Sequence, residues 1–249
     1  MLTNIETVIF DLDGTIYYGD KVIEGVTDVL DYINKKGLNV YYLTNNSTKS
    51  RKEIYNRLKN MGIDVNINQI YTSSYIAALY AKEKNLNNVF VLGSDGLKAE
   101  LRLQGICVTE CEMEAHNLLI GYDTELDYEK LTKALNVALK GNPIIACNKE
   151  RHFPGKNARR FPGCGAMVGA IELCTNREVD YVVGKPNPLM LEILAKENNL
   201  NPETMVMIGD TYESDIKMAH TFGCKSILVN KNEYNDTLRV SSIKEIISL

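Results

Sequence analysis

Long hydrophobic stretches are missing from this chain: none reaches the roughly 18 apolar residues that cross a bilayer, so no membrane-spanning helix is expected. Proline is scarce, with six in 249 residues, and a composition of 45% hydrophobic and 24% charged residues argues against a disordered or fibrous chain. There is no surplus of basic charge either. A formal net charge of -4 gives no reason to expect nucleic acid or an acidic membrane as a partner. The opening residues, MLTNIETVIFDLD, show no basic segment followed by a long apolar one, so no leader is expected and the cytoplasm is the expected compartment. The six cysteines (Cys107, Cys111, Cys147, Cys164, Cys174, Cys224) lack zinc-finger spacing, which predicts reduced and mostly buried thiols. His116 and His220 likewise have no carboxylate or cysteine at ligand spacing and read as structural.

What is present is a regular alternation. Short β-branched runs are followed by longer segments with apolar residues at helical spacing, the pattern of a parallel sheet with crossover helices and hence of an α/β fold. Strands are predicted at 7–11 (TVIFD), 39–46 (NVYYLTNN), 70–74 (IYTSS), 179–186 (VDYVVGKP), 205–210 (MVMIGD) and 225–230 (KSILVN). Helices are predicted at 26–37, 48–62 and 188–200; the second carries Ser50 and Glu53 at capping-box spacing and Gly62 as terminator. A separate β-α-β series between about residues 80 and 180 reads as an inserted domain. The predicted organisation is therefore a Rossmann-like core of residues 1–79 and 181–249 with an inserted α/β domain at 80–180.

In open α/β sheets the site lies beyond the carboxyl ends of the strands. The residues immediately after the predicted strands are Asp11 and Asp13; Thr44, Asn45 and Asn46; Lys185; and Asp210 with Asp215. Asp11 and Asp13 are two positions apart, so in an extended chain both carboxylates project to one side and repel unless something positive joins them. An all-oxygen donor set without histidine or cysteine suits Mg²⁺ rather than zinc. Each piece has a plain alternative: an Asp-Gly turn, a strand-end or N-cap threonine, a surface lysine before a proline, an N-capping Asp215. It is their joint order and spacing that favour chemistry.

DLDGT, the Thr-Asn-Asn strand end, GKP and GDxxxxD resemble the four motifs of the haloacid dehalogenase superfamily of phosphatases, spread over residues 7 to about 216. DGTIYYGD and FPGCGAMVGAIE further resemble the first loop and the PGxG segment of its class IIA, nitrophenylphosphatase-like (NagD-like) branch, whose type-two cap is inserted between the Thr and Lys motifs. The resemblance implies that Asp11 attacks phosphorus to form an aspartyl-phosphate and that Asp13 acts as acid and then base. It implies Mg²⁺ held by the Asp11 carboxylate, the Asp13 carbonyl and Asp210. Thr44, Asn45 and Asn46 would bind the phosphoryl group, Lys185 would pair with phosphate and Asp11, and Asp215 would orient Lys185 or metal-bound water. Dehalogenases of the superfamily lack the second aspartate, so Asp13 favours phosphoryl transfer.

The expected activity is hydrolysis of a small phosphorylated metabolite such as a sugar phosphate or nucleoside monophosphate. A phosphotransferase or mutase using the same intermediate, and a phosphate-ligand sensor without turnover, are the alternatives. A homodimer through the cap fits the same resemblance. Lys149, Arg151, His152, Lys156, Arg159 and Arg160 crowd one segment of the insertion; it reads either as a solvated loop or, through Arg159 and Arg160, as a contact for a second anionic group on the substrate. Tyr17 and Tyr18 either border the substrate entrance or pack under the cap, and packing is the expected role.

Overall fold

TVIFD carries an unbroken apolar run, Val8 to Phe10, between Thr7 and Asp11, and a strand that does not alternate must be covered on both faces. In the computed structural model, which describes residues 4–154, 159–230, 232, 234 and 236–249, it forms β1 (Thr7–Asp11), every residue of which is buried. Then follow the hairpin strands β2 (Tyr17–Tyr18) and β3 (Lys21–Val22), α1 (Val26–Lys35), β4 (Asn39–Thr44), α2 (Arg51–Asn60), β5 (Ile70–Thr72), α3 (Ser73–Glu83), β6 (Val89–Leu92), α4 (Asp95–Leu103), β7 (Val108–Thr109) and β8 (Asn117–Ile120). The chain continues through α5 (Tyr128–Leu139), β9 (Ile144–Ala146), β10 (His152–Pro154), β11 (Arg160–Pro162), α6 (Cys164–Thr175), β12 (Tyr181–Val182), α7 (Leu189–Asn198), β13 (Met205–Gly209), a π-helical turn at Tyr212–Ile216, α8 (Lys217–Phe222), β14 (Lys225–Val229) and β15 (Leu238–Val240).

Contacts divide the chain into two compact units: Met1–Thr44, Ile54–Tyr71 and Lys185–Leu249 in the first, and Asn45–Glu53 and Thr72–Gly184 in the second. The first contains a six-stranded sheet in the order β15-β14-β13-β1-β4-β5, with β1 paired in parallel to both β13 and β4. Its core joins Val8, Phe10, Val29, Ile33, Ile54, Leu58, Val206 and Ile227. The second contains a five-stranded sheet, β12-β9-β8-β6-β7, over its own core of Phe90, Leu118, Ile120, Val137, Met167 and Val168.

The divisions differ from the expected junctions at 79/80 and 180/181, and local chemistry explains both shifts. IYTSS does not remain a strand through Ser74, because the Thr72 hydroxyl accepts from the Tyr75 amide at 3.1 Å and starts a helix at Ser73. That helix packs on α4 of the second unit. VDYVVGKP, expected to rejoin the first texture, instead contributes β12 to the second sheet. Asp180 donates its amide to the Ile144 carbonyl and accepts from the Ile144 amide, and Tyr181 stacks on Tyr80 at 4.7 Å. Only from Lys185 onward does the chain belong to the first unit.

The capping box read from Ser50 and Glu53 is formed: the Ser50 amide donates to Glu53 Oε2 at 2.8 Å, and the Glu53 amide to Ser50 Oγ at 3.3 Å. Gly62, at φ +81°, ends the segment after α2. The thiols depart from expectation. All six are free, but only Cys147, Cys164 and Cys224 are buried; Cys107, Cys111 and Cys174 are exposed, because they fall on loops and on the outer side of α6 rather than on core-facing positions. Among the described residues no helix is long and apolar enough to cross a membrane.

Leu58 is fully buried in the first core, whereas Leu173 on α6 is 85% exposed. Leu58→Ala is expected to cost ~2–5 kcal/mol in urea unfolding, and Leu173→Ala no more than about 0.5 kcal/mol.

Candidate active site

The candidate residues of the first unit gather where its strands end. Asp11 closes β1, Thr44 closes β4, and Asp210 follows β13; Asp11 and Thr44 are buried. Asp215 sits in the π-helical turn and is buried as well. Carboxylate oxygens of Asp11, Asp210 and Asp215 lie within 4.8 Å of one another. Into this cluster comes Lys185, itself buried, whose ammonium donates to Asp11 Oδ1 and, at 2.7 Å, to Asp215 Oδ1. Asp215 is held from its other side by the Thr211 amide, which donates to Oδ2 at 3.1 Å.

One ammonium faces three carboxylates, so the cluster carries more negative charge than it compensates. Burial pushes Asp11 well above the ordinary aspartate range; Lys185 opposes this, while Asp215 and Asp210 reinforce it. Burial, then repulsion from Asp215, raises Asp210 to about 6 against the pull of Lys185. For Lys185, burial alone would lower the pKa, but the attraction of Asp11 and Asp215 prevails and raises it, so the ammonium is permanent.

The backbone makes room for these groups. Gly14 has φ +98°, and a Cβ there would lie 2.5 Å from Asp210 Oδ2, so the turn after the first motif admits only glycine beside that carboxylate. Thr15 is buried, and among the described residues its hydroxyl has no hydrogen-bond partner. Excess carboxylate charge, all-oxygen donors and an unsatisfied hydroxyl close in the chain fit a hard divalent cation, with Asp11 and Asp210 as the carboxylates not fully engaged by protein.

Asp13 lies in the turn beyond β1 and reaches solvent, yet the protein around its carboxyl raises its pKa, opposed by Arg57 and by a hydrogen bond from Tyr17. Tyr17 is fully buried, in keeping with packing, but its hydroxyl donates to Asp13 Oδ2 at 3.2 Å; Tyr18 is 56% exposed. The polar half of the Tyr17 role was not readable from sequence, since a Tyr four residues past an Asp has no characteristic pattern. Asn45 and Asn46 belong to the second unit. There the Asn45 carbonyl accepts from Ser73 Oγ and Asn148 Nδ2, both at 2.8 Å, and its side chain donates to Glu150 at 2.9 Å. Asn46 Oδ1 accepts from the amides of Thr48 and Lys49, each at 3.0 Å, and so shapes a turn.

In the second unit Arg160 lies 3.2 Å from the His152 ring nitrogens across the β10-β11 hairpin, and the Arg159 guanidinium is 5.2 Å from the centre of the Phe161 ring. Both arginines are exposed; Lys156 lies outside the described residues. His116 and His220 are exposed and hydrogen-bonded, to Asn87 and Ser226 respectively, each at 3.2 Å.

A parallel sheet whose strand ends gather three carboxylates around a buried lysine places charged groups where open α/β sheets bind their ligands. Residues 8–107 match the model of the haloacid dehalogenase-like hydrolases, and residues 182–245 a second model described as HAD-hydrolase-like. Sugar-phosphatase AraL of Bacillus subtilis (strain 168) is 34% identical over 97% of this chain and 92% of its own length. Phosphoglycolate phosphatase 1A, chloroplastic, of Arabidopsis thaliana is 33% identical over 92% of this chain and 69% of its own. The solved structure of a 4-nitrophenylphosphatase from Thermotoga maritima superposes with a TM-score of 0.93 at 29% identity, covering 100% of this chain and 98% of that one. The chain belongs to the haloacid dehalogenase-like hydrolases, in their class IIA, NagD-like branch. It is a phosphatase, hydrolysing phosphoric monoesters of small molecules.

Because the folded state holds the Asp210 proton up to about pH 6 rather than 3.8, this group favours folding below about pH 4, and that contribution is lost as pH rises through about 6. Asp210→Asn in metal-free protein is therefore expected to raise stability at pH 7.5 by on the order of 2 kcal/mol and to change little at pH 4, read by denaturant melts at both pH values.

Proposed function

We propose that this phosphatase transfers the phosphoryl group of a small cytoplasmic metabolite to Asp11 and then to water, with Mg²⁺ as its cofactor. The observation that carries this reading is the buried Lys185 ammonium bonded at once to Asp11 and Asp215, with Asp210 beside them. Lys185 occupies Asp11 Oδ1, opposes the desolvation that raises the pKa of this carboxyl, and presents positive charge where a dianionic phosphate must approach. Asp11 is the nucleophile. Asp13, two residues on and open to solvent, protonates the departing alcohol oxygen and afterwards takes a proton from the attacking water.

Thr44 at the end of β4 and the amide of Asn45 bind phosphoryl oxygens, and the bonds from Ser73 and Asn148 to the Asn45 carbonyl hold the next peptide unit in place. Asp11, the carbonyl of Asp13 and Asp210 would hold the Mg²⁺, which when bound offsets the repulsion between carboxylates and phosphate. The second unit serves as the cap that selects the substrate, with a homodimer through that unit as the expected assembly. Phosphoglycolate and sugar phosphates, named for two of the relatives, set the range of candidates, and a carboxylated one would suit Arg159 and Arg160.

Asp11→Asn is expected to reduce kcat by at least about 10³-fold while the melting temperature shifts little, and acid-quenched enzyme should carry a hydroxylamine-labile phosphate only in the presence of Asp11. Wild-type protein should melt higher with Mg²⁺ than without it, and Asp210→Asn should lose that increment. Residual full activity in Asp11→Asn would place the attack on another residue. Arg159→Ala and Arg160→Ala should raise KM for phosphoglycolate far more than for 4-nitrophenyl phosphate; small and equal changes on both would assign these arginines to the surface.

A further inference from the structure

We infer that Tyr17 is a positioning residue for Asp13, clamped by Arg57, and that it engages one carboxyl oxygen so that the other carries the transferred proton; this rests on the roles proposed above for Asp11 and Asp13. The turn after β1 creates the arrangement. The amides of Thr15, Ile16 and Tyr17 all converge on the Leu12 carbonyl, at 3.3, 2.9 and 3.1 Å, and the Gly14 amide returns to the Tyr17 carbonyl at 2.8 Å. The chain thus folds back so that Tyr17 lies beside Asp13, and the positive φ of Gly14 permits the reversal.

The Tyr17 ring is fully buried, so its hydroxyl needs a partner inside the protein. The partner it takes is Asp13 Oδ2, at 3.2 Å. On the ring face, the Arg57 guanidinium of α2 lies 4.4 Å from the centroid. Arg57 is anchored in turn by donating to the Gly19 carbonyl at 2.6 Å and by Asp20 at 3.6 Å. A cation over the face draws electron density from the phenol and makes its O–H a better donor. Phenylalanine would fill the same space. What it would lack is the single bond to the one carboxyl that must change protonation during turnover.

With Oδ2 accepting from Tyr17, the proton of neutral Asp13 resides on Oδ1. As the bond from Asp11 to phosphorus forms, the bond to the leaving oxygen breaks with its electron pair, and that oxygen takes the Oδ1 proton. Tyr17 keeps its own proton and stabilises the carboxylate left behind. In the second half, water gives a proton to Oδ1 while its oxygen bonds phosphorus, and the bond from phosphorus to Asp11 breaks with its electron pair returning to the Asp11 carboxylate.

The test compares kcat/KM, which reports the steps through phosphorylation of Asp11, for two substrates: glycerol phosphate, whose alkoxide cannot leave unprotonated, and 2,4-dinitrophenyl phosphate, whose phenolate can. Tyr17→Phe should lose about tenfold on glycerol phosphate, the scale of one hydrogen bond to a charged group, and less than about twofold on the dinitrophenyl ester. Arg57→Gln should show the same asymmetry with a smaller loss, and it carries the test should Tyr17→Phe fail to fold. Equal losses on both substrates, or none, would overturn the inference. Asp13→Asn separates it from the reading beneath: a large loss confined to glycerol phosphate for Asp13→Asn but not for Tyr17→Phe removes only the positioning role, whereas a loss by Asp13→Asn that ignores the leaving group removes both.

Discussion

The ion cluster around Lys185 is the constraint to which the carboxyl end of the first sheet is built, because carboxylates taken out of water are tolerated only when charge and hydrogen bonds replace the solvent they lose. Asp11 and Asp215 obtain that replacement from a single ammonium, and Asp215 also from the Thr211 amide. Burial nevertheless raises the pKa of Asp11 and, together with repulsion from Asp215, that of Asp210. The site therefore stores unfavourable charge in the absence of a cation or substrate, and such incomplete compensation is what allows an active site to attract one. Two glycines keep the arrangement tight, since a side chain at Gly14 would run into Asp210 and one at Gly209 into Asp215.

Around this cluster the rest of the first unit is scaffold. β1 lies between β13 and β4, so the residues that end these three strands emerge side by side, and a parallel sheet covered on both faces holds them with little freedom. The turn beyond β1 then gives the two aspartates different settings. Asp11 is buried against Lys185, and Asp13 reaches solvent against Tyr17. Two chemically identical side chains are thereby given unlike environments, which is what the proposed nucleophile and proton carrier require.

The strand ends were readable in advance because a buried parallel strand declares itself as an unbroken apolar run, and whatever polar residue follows must lie at the sheet edge. TVIFD, NVYYLT and MVMIG all behave this way. VDYVV failed for the complementary reason: a short apolar run fits any parallel sheet, and only the bonds of Asp180 to Ile144 and the stacking of Tyr181 on Tyr80 assign it to the second one. The exposed cysteines escaped prediction because burial depends on which side of an element a residue faces, and Cys107 and Cys111 lie in segments too short to show a period. Tyr17 is buried in the core of the first unit, whereas Tyr18, expected to pack as well, is 56% exposed; and a hydroxyl's partner is a matter of a few ångströms that no spacing rule encodes.

By itself the sequence determined the α/β class, the identity of the residues at each strand end and the hard-oxygen character of the site, since these follow from local periodicity and from side-chain chemistry. Only the tertiary structure decided that Lys185, 174 residues away from Asp11 along the chain, serves Asp11 and Asp215 together, that burial raises the pKa of Asp210, and that Tyr17 engages Asp13. The reason is physical. Electrostatic energy depends on distance and on the water excluded between charges, and both are properties of the folded chain rather than of its order.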